Sequence, residues 1–91
     1  MELLEQCQLW HEQDEHQKIA DALEAIPAQA RTPDQDMELA RAYNNLADPG
    51  TPEGRELFRR ATELMEQHQD TLGKTYSWNF RMGYSCYYLD E

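Results

Sequence analysis

The chain has 91 residues, and 8 lysines and arginines face 18 aspartates and glutamates, which gives a formal net charge of −10. This length builds one small domain, near the lower limit for a useful hydrophobic core. The acidic balance argues against nucleic acid and anionic membrane surfaces as partners, because both need basic side chains to displace counterions or to meet lipid phosphates.

The compartment is predicted from cysteine use and from apolar runs. No apolar run approaches the roughly 18 residues of a membrane span, and the amino terminus lacks the basic and apolar regions of a signal peptide. Cys7 and Cys86 fall on predicted apolar helix faces and form no disulfide framework. We therefore expect a cytoplasmic protein.

The first part of the chain predicts a helical hairpin over residues 2–26, with helices at about 2–12 and 16–26. Apolar residues recur at helical spacing in both helices: Leu3, Cys7 and Trp10, then Ile19, Leu23 and Ile26. Pro27 ends the second helix, because the residue before a proline is pushed out of helical geometry.

Residues 33–69 predict a second hairpin, and both of its helices open with the same signal. The segments Thr32-Pro33-Asp34 and Thr51-Pro52-Glu53 each supply a capping threonine, a proline for the first turn and an acid for the positive helix end. Between the two helices, Asp48-Pro49-Gly50 stops the first and turns the chain.

A fifth helix is predicted over residues 76–89, after a glycine-containing connector at 70–75. It is the most aromatic part of the chain and carries Trp78, Phe80, Tyr84, Tyr87 and Tyr88. One side should pack on the preceding helix, whereas the other lacks a partner and forms an apolar association surface. We expect this helix to cap the domain or to form a homodimer.

A pattern of small and apolar residues at helical spacing recurs along the chain. The middle unit reads Leu39-Ala40-x-x-Tyr43 and then Gly54-x-x-x-Phe58-x-x-Ala61, and its second half repeats the spacing of Ile19, Leu23 and Ile26 thirty-five residues further on. A period in this range is typical of stacked helical hairpins. These residues resemble tetratricopeptide repeats, although the first unit has larger residues than that family prefers.

The runs LARAYNNLADPGTPEGREL and WNFRMGYSCYYLDE are also similar to a group of bacterial tetratricopeptide proteins of unassigned function. In that group the chain continues after the tyrosine-rich helix, so the resemblance implies that residues 1–91 are the amino-terminal part of a longer protein. It also implies an all-α, right-handed superhelix of two hairpins plus a fifth helix.

The resemblance further implies a non-catalytic module that docks a protein or peptide segment on the concave face made by the first helix of each hairpin. The residues expected on that face are Arg41, Asn44, Asn45, Tyr84 and Tyr88. Two alternatives stay open. The asparagines and tyrosines could instead cap helices and pack between hairpins, and the domain could serve as a scaffold or dimerisation unit for an activity located elsewhere.

Catalytic and metal sites have little support in the sequence. A carboxylate clamp of the kind found in some tetratricopeptide domains is incomplete here, because only Arg41, Asn44 and Arg81 lie near suitable places. His11 and His16 are expected to be solvated near a turn and His68 to extend to solvent at a helix end. No HExxH or paired-cysteine spacing appears, so we expect no enzyme, no metal and no cofactor.

Overall fold

The computed structural model describes residues 2–73, 79, 81–83 and 87. Its helices are α1 (Leu3–Glu12), α2 (His16–Glu24), α3 (Pro33–Leu46), α4 (Pro52–Glu66) and α5 (Gln69–Leu72), with a 3-10 turn at Ala28–Ala30. Residues 79, 81–83 and 87 are also helical. Within these residues there is no strand, which confirms the all-α class predicted from the sequence.

Helix α3 is the centre of the described structure, since it packs against α2 and α4 and also contacts α1. All four of these helices place apolar side chains in the core. The larger buried side chains are Cys7, Ile19, Leu23, Leu39, Tyr43, Phe58 and Met65. The apolar stripes predicted for the two hairpins are therefore the faces that the helices bury.

The starts of α3 and α4 are built as the sequence predicts. Thr32 Oγ1 accepts a hydrogen bond from the Gln35 amide at 3.1 Å, and Gln35 Oε1 accepts one from the Thr32 amide at 2.9 Å. Thr51 Oγ1 accepts from the Gly54 amide at 3.0 Å. Each cap satisfies a backbone donor that the helix itself leaves unpaired and contributes about 1 kcal/mol.

Several predicted boundaries differ from the structure. Helix α2 ends at Glu24 rather than Ile26, and the 3-10 turn that follows Pro27 was not predicted. Helix α4 ends at Glu66, and α5 occupies part of the predicted connector. The bounds of the fifth predicted helix, 76–89, lie outside the described residues.

Gly54 is one of the small residues in the recurring pattern, and the structure shows why a glycine is needed at this position. A Cβ atom at this position would lie 1.8 Å from the carbonyl oxygen of Asp48. The first turn of α4 thus touches the backbone of the α3–α4 connection directly. No side chain fits there, so the close approach requires glycine.

Candidate partner-binding face

A polar network joins α1 to α3 on one side of the molecule. Arg41 Nη2 donates to Gln8 Oε1 on α1 at 3.3 Å and to Glu38 Oε2 on its own helix at 2.5 Å. Gln8 Nε2 in turn donates to Glu12 Oε1 at 3.3 Å. Arg41 is therefore held between two helices. We call the surface formed by Gln8, His11, Glu38 and Arg41 the α1–α3 face.

His11 lies one turn along α1 from Gln8 and packs edge-on against another imidazole. The His11 and His16 ring centroids are 5.4 Å apart, and His16 Nε2 lies 3.6 Å from Asp14 Oδ1. Burial lowers the pKa of His11, and the positive charges of Arg41, His16 and Arg81 lower it further. This shift favours the neutral imidazole on the α1–α3 face at neutral pH.

Burial also affects the acidic groups beside Arg41. It raises the pKa of Glu38, while the charge of Arg41 and its hydrogen bond act in the opposite direction. Burial, followed by the charge of Glu38, raises the pKa of the Cys7 thiol. Cys7 is 0% exposed and free, so it is the inert buried thiol that its apolar stripe predicts.

Some hydrogen-bonding capacity on this side is unused. Among the described residues, three buried side-chain nitrogens have no hydrogen-bond partner: His11 Nδ1, His16 Nδ1 and Arg41 Nε. A buried polar group without a partner costs about 1–3 kcal/mol.

The residues predicted to form the binding site differ in how exposed they are in the structure. Arg41 lies on the α1–α3 face with its side chain 15% exposed, and Asn45 is exposed. The expectation that Asn44 projects from an open face is wrong, because it is 1% exposed and its Nδ2 donates to the Arg81 carbonyl at 3.3 Å. Tyr84 and Tyr88 lie outside the described residues.

A second polar cluster, which sequence reasoning missed, lies where α2, α3 and α4 meet. Asp36, 4% exposed, accepts a hydrogen bond from Arg31 Nε at 2.6 Å through Oδ1, and its Oδ2 lies 2.7 Å from His68 Nε2. We call Arg31, Asp36 and His68 the junction cluster. His68 does follow the end of α4, but it bonds Asp36 instead of reaching solvent.

Arg31 of the junction cluster also ends α2. Its Nη1 donates to the carbonyls of Ile26 at 3.0 Å and Leu23 at 3.3 Å, and the Leu23 carbonyl also accepts from the Ile26 amide at 3.1 Å. One sign of the cluster is present in the sequence: Asp36 stands four residues before Ala40, on an otherwise apolar stripe of α3. A carboxylate in that position requires a charged or polar partner.

The described residues offer no arrangement suited to a metal ion, since no three histidine, cysteine or carboxylate side chains converge on one point. In the same part of the chain, none of the helices has the length and apolar character to cross a membrane. The homodimer predicted through the fifth helix stays a prediction, because most of residues 76–89 lie outside the part of the chain that the structure describes.

Searches of protein-family models, curated proteins and solved structures found no match to this chain.

Proposed function

We propose that the chain is a tetratricopeptide-like, non-catalytic interaction module that docks a protein or peptide segment on the α1–α3 face. One observation carries the proposal. Arg41 is fixed between two helices by Gln8 and Glu38, and 15% of its side chain stays exposed to a partner. Held side chains with unused donors lose little conformational entropy when a ligand binds.

The same face offers several polar groups to an extended segment. The partly exposed guanidinium of Arg41 can donate to a backbone carbonyl or a carboxylate, and the exposed amides of Gln8 and Asn45 can both donate and accept. Asn44 acts indirectly, because it holds the backbone of Arg81 from the interior. Tyr84 and Tyr88 remain predicted contributors of apolar contact area.

The proposal is tested with peptides selected against the wild-type chain from a displayed library of linear sequences. Their affinities are then measured by fluorescence anisotropy. We expect Arg41→Ala to weaken the selected peptides by at least about tenfold, the effect of losing one charged hydrogen bond. Adding Tyr84→Ala should weaken them further, while circular dichroism shows unchanged helicity.

Arg59→Ala is the matched control, since Arg59 is an exposed arginine on α4 that pairs with Glu56. It should leave peptide affinity unchanged. Equal affinity of the selected peptides for wild type and the Arg41→Ala, Tyr84→Ala double variant would refute docking at this face.

A further inference from the structure

A recess lies on the opposite side of α3 from Arg41. Tyr43 follows Arg41 by two residues, which is a rotation of about 200° around a helix with 3.6 residues per turn. Tyr43 lines a recess of about 390 Å³ between the end of α2, the 3-10 turn, α3 and α4. Pockets for small ligands measure about 300–1,000 Å³, so this volume suits a small one.

The tyrosine of the recess is fixed by two charged side chains. Tyr43 is 3% exposed, and its hydroxyl donates to Glu24 Oε1 at 3.0 Å. The Arg60 guanidinium lies 4.9 Å from the centre of the Tyr43 ring, within the range of a cation–π contact. A carboxylate thereby lies at the hydroxyl of one buried ring, and a guanidinium lies over the face of the same ring.

The charges that line the recess differ in whether they are already paired. Arg31 is engaged by Asp36. Arg60, Glu24 and Glu63 are exposed, and none of them forms an ion pair within the part of the chain that the structure describes. The recess thus presents a cation and two carboxylates beside an apolar wall made by Ile26, Pro27 and Leu64.

We propose that this recess binds an apolar α-amino acid in its zwitterionic form. Arg60 receives the α-carboxylate, Glu24 and Glu63 receive the α-ammonium group, and the aliphatic side chain lies against Ile26 and Leu64. A ligand with a single charge would form an ion pair with only the guanidinium or only the carboxylates. This site is separate from the α1–α3 face and does not depend on the function proposed for that face.

The charge requirement is tested by isothermal titration calorimetry with three probes that share one side chain: L-leucine, L-leucinamide and N-acetyl-L-leucine. Leucinamide keeps only the positive charge and N-acetyl-leucine only the negative one. We expect leucine to bind and each analogue to bind at least about tenfold more weakly, because each loses a charged hydrogen bond. No heat of binding with leucine, or equal binding of leucinamide, overturns the proposal.

Variants locate the site. Arg60→Gln should weaken leucine at least about tenfold, whereas Arg59→Gln, the neighbouring exposed arginine, should not. Both positions are on the surface of α4, and circular dichroism checks that each variant folds. Glu63→Gln removes one of the carboxylates proposed to receive the α-ammonium group, and it should also weaken leucine binding. Arg41→Ala should leave leucine binding unchanged, which separates this result from the peptide test. Unchanged leucine affinity in both Arg60→Gln and Glu63→Gln contradicts the assignment.

Discussion

The junction cluster and the α1–α3 face contain the same kind of ion pair and use it differently. Arg31 bonds Asp36 at 2.6 Å, and Arg41 bonds Glu38 at 2.5 Å. Arg31 Nη1 also donates to the carbonyls of Leu23 and Ile26 at the end of α2, whereas Arg41 Nε has no hydrogen-bond partner. An arginine–carboxylate pair therefore does not by itself indicate a structural or a functional role. The two arginines differ in what the other donors of each guanidinium bond.

This difference has an energetic consequence. In the junction cluster the carboxylate is almost fully buried, and each of its oxygens meets a different residue. Removing Asp36 takes the counter-charge from Arg31 and the bonded partner from His68, which is costly because both side chains are mostly buried. On the α1–α3 face, the network is partly exposed and incomplete, so its members should contribute less to folding.

The largest expected effect is that of Asp36→Ala. The change leaves the Arg31 guanidinium, 10% exposed, without its counter-charge, and it should cost about 3–5 kcal/mol of unfolding free energy. Urea denaturation followed by circular dichroism measures this. Asp34→Ala is the control, because Asp34 is exposed in the first turn of the same helix and should cost at most about 1 kcal/mol.

Equal losses from Asp36→Ala and Asp34→Ala would show that the junction cluster adds nothing beyond its position near a helix start. The claim that the junction cluster contributes more to stability than the network on the α1–α3 face would then be wrong.

Alkaline pH gives the next largest effect, on the Tyr43 side of α3. Burial and the hydrogen bond to Glu24 raise the pKa of Tyr43 to about 12 from its ordinary 10. Above pH 10 the folded state therefore holds a proton that the unfolded state has lost, and stability falls as pH rises toward 12. The loss should reach about 2–3 kcal/mol.

Tyr43→Phe should flatten this alkaline loss of stability, measured by urea denaturation at a series of pH values. Tyr87→Phe is the matched control, since Tyr87 is 64% exposed and its substitution should leave the slope in place. An unchanged slope in Tyr43→Phe would assign the alkaline loss to other groups.

The smallest effect is expected at acid pH and belongs to the α1–α3 face. Because the pKa of His11 is lowered in the folded state, the unfolded chain binds a proton first as pH falls. Stability from this group is therefore present above the ordinary pKa of about 6.5 and is lost as pH falls below it. His11→Gln should reduce the loss between pH 7 and 5 in thermal unfolding, and a steeper loss would contradict the sign.

Local signals in the sequence predicted most of the helices. The threonine–proline starts at Thr32 and Thr51 act within one turn, so the sequence contains everything they need. Asn44 was misplaced because its exposure depends on a helical segment near Arg81, far along the chain. The junction cluster was missed for a similar reason, since His68 and Asp36 are 32 residues apart.

The candidate site was predicted only in part. Arg41 could be identified from its place on α3, but its bond to Gln8 depends on how α1 packs, which the spacing of apolar residues does not specify. The recess beside Tyr43 could not be predicted at all, because the 3-10 turn that helps to form it was not foreseen.

The backbone contact at Gly54 limits how the second hairpin can change shape. At that end, α4 rests on the carbonyl of Asp48, so no side chain sets the spacing from the α3–α4 connection. Toward the other end, α4 packs on α3 through the core, and a hydrogen bond joins His68 to Asp36. Larger or smaller core residues would therefore alter the tilt of α4 about the Gly54 end rather than its separation from that connection.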